Sequence, residues 1–170
     1  MATYDLLDSL TLSSSASSVT FSSIDQSYRD LVLVCSVRSS NANSMIMLLR
    51  MNGDSGSNYK WVNMEGDGSN ATSVTDFAGS GQQSIWLSAN DQTANGSTPN
   101  TVIVQFMDFS ATNKHKTILQ RSNNAATSGG TYAGAGRWAN TAAVTSITLL
   151  DFYGYSFISG STFYLYGVAA

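Results

Sequence analysis

The sequence predicts an all-β fold: an antiparallel two-sheet β-sandwich or a barrel of about ten short strands. Three observations carry this. No segment of ten or more residues combines apolar positions at helical spacing with a cap. Short runs instead alternate apolar and polar residues with a period of two. Between the runs stand Ser, Asn and Gly, the residues of turns. No repeat and no shift of composition divides the chain, so residues 1–170 read as one domain.

The runs follow in order. Ser9–Leu12 and Val19–Ser22 flank the serine-rich stretch Ser13–Ser18, which reads as a loop or a bulged edge. In Leu31–Arg38 the side chains of Leu31, Leu33, Cys35 and Val37 share one face. In Ser44–Met51, Met45, Met47, Leu49 and Met51 do the same. Met45, Met47 and Met51 are candidates for an interface, and core is the competing account. Asn52-Gly53 suits a tight turn into Tyr59–Met64. The stretch Gly66–Gln83 is expected to be a surface loop before Ser84–Leu87. Asn95-Gly96 is a second turn signal, and the single proline, Pro99, stands just before Thr101–Phe109. There Val102, Val104 and Phe106 share a face, and Asp108 is expected to point to solvent. Lys114-His115-Lys116 reads as a solvated turn ahead of Lys116–Arg121, and Ser122–Gly129 as a loop. Gly130–Trp138, Val144–Asp151 and Thr162–Val168 complete the set.

Composition narrows the classes. Ser, Thr and Asn make up 57 of the 170 residues, while charged residues are only 11%, against about 25% in ordinary soluble domains. The chain is polar without being charged. Apolar residues at 42% are too many for a disordered chain. The longest aliphatic or sulfur runs, Leu31–Cys35 and Met45–Leu49, fall far short of the about 20 residues of a membrane helix. Met1–Asp8 carries two aspartates and no basic residue, unlike a secretory signal. A net charge of −3 and scattered cations give no field for nucleic acid. No membrane and no nucleic-acid partner is therefore expected. Cys35 stands alone in an apolar run, so it reads as a buried thiol, and folding in a reducing cytosol fits.

Catalytic and metal chemistry find little to use. A Ser-His-Asp or Cys-His arrangement would have to recruit His115, the single histidine, from a basic turn. Glu65 is the single glutamate, and most aspartates sit in turn segments, where Asp serves the backbone. Asn52–Asn58 and Glu65–Gly68 are rich in oxygens but lack the terminal glutamate of an EF-hand. With no His or Cys cluster, zinc has no ligands. The reading is a non-enzyme with no cofactor and no metal.

Aromatic residues stand out. Phe152, Tyr153, Tyr155, Phe157, Phe163, Tyr164 and Tyr166 crowd the last twenty residues. In the final strand Phe163 and Leu165 face one way, Tyr164 and Tyr166 the other. A sheet with one buried face needs aromatics on one side only. Tyr153, Tyr155, Tyr164 and Tyr166 are accordingly candidates for an oligomer or capsid interface, with a tyrosine-rich outer face as the competing account.

Four segments resemble small tailed-bacteriophage virion proteins. They are Ala16-Ser17-Ser18-Val19-Thr20-Phe21-Ser22-Ser23-Ile24, Tyr28-Arg29-Asp30-Leu31, Asn52-Gly53-Asp54-Ser55-Gly56-Ser57-Asn58-Tyr59 and the ending Gly160–Val168. The resemblance covers the first 60 residues and the last 15 or so. It implies a jelly-roll-like β-sandwich displayed on a phage particle. It carries no catalytic residues. Two roles follow from it. One is a capsid cement or decoration protein on the outer capsid surface, made in the host cytoplasm. Its partners would be the major capsid protein and copies of itself, as a homotrimer. The other is a tail-fibre or receptor-binding β-domain that recognises glycans, with Trp61, Trp86 and Trp138 stacking on sugars.

Overall fold

The computed structural model describes residues 3–41, 46–75, 83–87, 99–123 and 130–169. They form an all-β, two-sheet antiparallel sandwich. The strands are β1 (Tyr4–Thr11), β2 (Ser18–Phe21), β3 (Asp30–Val37), β4 (Met47–Met51), β5 (Tyr59–Gly66) and β6 (Ala71–Thr75). They continue as β7 (Ile85–Leu87), β8 (Asn100–Met107), β9 (Lys116–Asn123), β10 (Thr131–Trp138), β11 (Ile147–Asp151) and β12 (Thr162–Val168). The large sheet has the order β1-β12-β3-β8-β9-β10-β5-β6, the small one β2-β11-β4-β7. β12 thus lies between β1 and β3, and β11 between β2 and β4. This nesting of late strands between early ones is the wrapped course of a jelly-roll-like chain.

The core follows from strand parity. Leu31, Leu33, Cys35 and Val37 of β3 meet Val102, Val104 and Phe106 of β8 on the inner face. Against them stand Met47, Leu49 and Met51 of β4 with Ile147 and Leu149 of β11. Met47 and Met51 are fully buried, so they serve as core and not as interface. Asn52 and Gly53 both have positive φ, 53° and 66°, and form the expected turn. The Asn52 side chain fastens it to the segment before β11. Its Oδ1 accepts from Thr145 N (2.8 Å) and Ser146 N (3.1 Å), and its Nδ2 donates to Ala143 O (2.7 Å).

Three expectations change. Gly66–Gln83 is not all loop, because β6 adds to the free edge of β5. Every residue of β6 is exposed, so its side chains give no alternation and the backbone ladder alone makes the strand. β1 likewise starts at Tyr4, ahead of the predicted Ser9, and has no buried side chain to announce it. Lys116 does not belong to a solvated turn. It is 1% exposed, and its ammonium donates to Lys114 O (2.9 Å) and Thr141 O (3.1 Å). Burial draws its pKa down. Met45 and the Asn95-Gly96 turn lie outside the described residues.

Candidate interaction face

The small sheet covers the inner face of the large one. The outer face should then be polar, as in most antiparallel sheets. Its two central rows are not. One complete cross-strand row runs Leu6, Tyr166, Val32, Gln105 and on through Leu119, Ala135, Val62 to Thr75. The next row on the same face runs Ser9, Tyr164, Val34, Ile103 and on through Arg121, Ala133, Met64 to Ser73. Eleven of these sixteen positions are apolar or tyrosine, so alternation fails in these two rows. Val62, Met64 and Leu119 are 44%, 58% and 50% exposed. A contiguous apolar strip of this kind is a candidate interaction surface.

The face has relief. On β10 the outward residues Ala133 and Ala135 are small, while their neighbours Met64, Val62, Leu119 and Arg121 are long. The result is a trough along β10, made of two adjoining depressions of about 390 and 590 Å³ that share Val62, Leu119 and Ala135. Lys60, Arg121 and Arg137 line it. Between the large inward residues Tyr132 and Trp138, the inward positions Gly134 and Gly136 are bare for a different reason. Asn63 and Gln120 fill the space under Gly134, and Ile85 fills that under Gly136. Gln120 Nε2 donates to Asn63 Oδ1 (2.6 Å), and both amides donate to Trp86 O, at 3.1 and 3.2 Å.

No family model, no curated protein and no solved structure matches this chain.

The sequence-predicted aromatic residues fall into three places. Tyr164 and Tyr166 stack on each other, 6.5 Å between centroids, and form a half-buried ridge on the outer face over β12. Tyr153 and Tyr155 lie elsewhere, in the exposed turn after β11. There they end a ladder of rings. Trp61 stacks on Trp86 at 4.9 Å, Trp86 meets Phe152 at 4.8 Å, Phe152 meets Tyr153 at 5.1 Å, and Tyr153 meets Tyr155 at 6.3 Å. Trp61 is buried, with Nε1 unpartnered among the described residues, so only the outer rungs face solvent. Beside Trp86 and Phe152 is a shallow depression of about 420 Å³, lined also by Arg50, Ser57, Gln83 and Ser84. Trp138 is 1% exposed, stacked on Tyr59 and bonded through Nε1 to Asp54 Oδ2 (2.6 Å). It is a core residue with no face left for a sugar.

The carboxylates are engaged locally. Asp54 also accepts from Asn58 Nδ2 (2.8 Å) and Gly56 N (2.8 Å). Burial pushes its pKa up, but the bonds from Trp138, Asn58 and Gly56 outweigh this and hold it below the ordinary value. Asp108 sits at a positive φ of 48° just past β8, where its carboxylate accepts from Lys114 Nζ (2.9 Å) and Arg29 Nε (3.3 Å). Asp151 is buried. Its Oδ1 accepts from Tyr153 N (2.8 Å) and Tyr155 N (3.1 Å), fixing the turn that carries the tyrosines. Burial raises its pKa.

The outer-face residues Val62, Met64, Ile103, Leu119, Ala133 and Ala135 escaped the sequence reading. Their signal was present: in Trp61-Val62-Asn63-Met64 and Val102-Ile103-Val104 apolar residues occupy both parities, the mark of a strand covered on two sides.

Proposed function

We propose that this chain is a phage virion structural protein. It is a capsid cement or decoration protein that binds the assembled shell as a homotrimer. The observation behind the reading is the apolar strip on the outer face of the eight-stranded sheet, which suits contact with protein and not with water. The resemblance at Ala16–Ile24 and Gly160–Val168 supplies the phage context. A protein that binds assembled subunits more tightly than free ones stabilises the shell by mass action. In this role it needs no catalytic group and no cofactor. Counting copies on purified particles by quantitative mass spectrometry tests it. Hundreds of copies support the shell role, and a few dozen or fewer exclude it.

The ring ladder favours a second reading, a tail-fibre or receptor-binding β-domain. Trp86 and Phe152 flank a depression that also offers Arg50, Ser57, Gln83 and Ser84, a mixture of ring faces and hydrogen-bonding groups suited to a glycan. Specific binding on a glycan array, abolished by Trp86→Ala, would move the assignment there.

A further inference from the structure

We infer that the depression beside Trp86 and Phe152 binds an acidic glycan, with the Arg50 guanidinium holding the carboxylate of a uronic or sialic acid. The inference deepens the glycan reading above and rests on it. It leaves the shell role free. The depression opens on the outer side of the small sheet, opposite the apolar strip of the large one.

Strand parity builds the site. Met47, Leu49 and Met51 of β4 point into the core, so Leu48 and Arg50 point out. Leu48 pairs with Trp86 on β7, and one step along the same register Ser84 comes beside Arg50. Phe152 arrives from the end of β11, where its N donates to Ile46 O (2.9 Å) and its ring meets that of Trp86. Leu48, 7% exposed, gives the depression an apolar floor beside these rings, and Arg50 gives it a cation.

Arg50 singles out the ligand. Its Nε donates to Gln83 O (3.1 Å), which anchors one edge of the guanidinium. The terminal nitrogens have no hydrogen-bond partner among the described residues, and no carboxylate among them pairs with Arg50. Arg29, by contrast, is matched by Asp30 and Asp108. Asp54 in the neighbouring turn is taken up by Trp138, Asn58 and Gly56. Ser84 adds an independent sign. It is 5% exposed and lines the depression, yet its hydroxyl has no hydrogen-bond partner among the described residues. A buried residue with an unspent hydroxyl facing a depression can bond a ligand hydroxyl.

The chemistry of the ligand matches. A carboxylate offers two coplanar oxygens, which the terminal nitrogens of a guanidinium meet in parallel bonds. A pyranose places that group on a ring whose C–H face packs on aromatic and aliphatic side chains, while its hydroxyls reach polar ones. The volume of about 420 Å³ lies within the range of small-ligand sites, about 300–1,000 Å³.

The test is a glycan array of oligosaccharides containing uronic or sialic acid, each beside its carboxyl-reduced counterpart, in which an alcohol replaces the carboxylate. The unaltered protein should bind an acidic member at least about tenfold more tightly than its reduced counterpart, the scale of a bond to a charged group. The uronic and sialic arms tell which sugar supplies the carboxylate. Arg50→Gln should bring each acidic glycan down to the affinity of its reduced counterpart, and Phe152→Ala should weaken both alike. Neither residue belongs to the core, and circular dichroism and thermal melts establish that both variants fold. Equal binding of acidic and reduced forms by the unaltered protein overturns the acidic ligand and leaves the glycan reading standing. An acid preference that survives Arg50→Gln overturns the role of Arg50. Absence of binding to any glycan overturns the inference and the glycan reading together.

Discussion

Replacing Gly134 by alanine should destabilise the sandwich severely, although it adds one methyl group. A Cβ at this position collides with Asn63 Oδ1 and lies 2.7 Å from Gln120 Nε2 and 2.8 Å from the Val62 carbonyl. The carbonyl belongs to the neighbouring strand and cannot retreat without parting β5 from β10. The two amides must therefore move. They are 5% and 6% exposed, and their displacement breaks the 2.6 Å bond between them and their bonds to Trp86 O. Overpacking costs about 1–3 kcal/mol, and each buried amide left without its partner about 1–3 kcal/mol more. Since such terms are not additive, the expected loss is about 3–5 kcal/mol in all. For a domain of this size that lowers the melting temperature by roughly 6–20 °C. Urea titration and calorimetry measure it. Gly66→Ala is the control, because the nearest atom to its Cβ is Thr131 Oγ1 at 3.9 Å. It should cost nothing. Asn63→Ala in the Gly134→Ala background should recover at least about 1 kcal/mol through relief of the collision. A Gly134→Ala variant within about 0.5 kcal/mol of the unaltered protein would refute the reasoning.

Three further outcomes are expected. Asp54→Ala leaves Trp138 Nε1 without its acceptor and should cost about 2 kcal/mol at neutral pH. The folded pKa of Asp54 lies below its unfolded value, so its stabilisation is complete above about pH 4 and disappears as pH falls through the folded value. The difference between the two proteins should accordingly shrink in urea titrations at progressively lower pH, and a constant difference would count against the assignment. Asn52→Ala loses four side-chain bonds, the fourth from Thr145 Oγ1 (3.3 Å), at a position with φ of 53° and should cost about 2–4 kcal/mol, while Asn52→Gly, free of the backbone penalty, should cost less. Denaturant midpoints that rank them the other way would overturn this account of the turn. Cys35 is fully buried and its thiol pKa is pushed far up by that burial, so thiol reagents should label it only on unfolding. Rapid labelling of the native protein would contradict its place in the core.

What the sequence revealed depended on burial. Strands with one buried face, such as β3 and β8, announced themselves through alternation, and Asn52-Gly53 announced its turn through chemistry. Strands without buried side chains, β6 and most of β1, left no such trace, because a backbone ladder is indifferent to side chains. The Lys116 ammonium hides in an apolar-free segment that pattern alone assigns to solvent, since its partners are carbonyls supplied by the fold. The candidate face was half legible. Tyr164 and Tyr166 could be picked from one strand whose two faces are both aromatic. The alanine floor and the leucine and methionine walls could not. They become a surface only when β5, β10 and β9 are set side by side in register, and strand order is a long-range property.

The nesting of β11 and β12 has a bearing on synthesis. β3, the most apolar of the long strands, pairs on one side with β8 but must wait for β12 on the other. β4 and β2 wait in the same way for β11. Neither sheet can be completed while the chain is still on the ribosome and these two strands are inside the exit tunnel. Until then two apolar edges stand open, and open edges recruit foreign strands. The time between emergence of β3 and arrival of β12 is thus the interval in which a newly made copy is most exposed to aggregation and most dependent on chaperones.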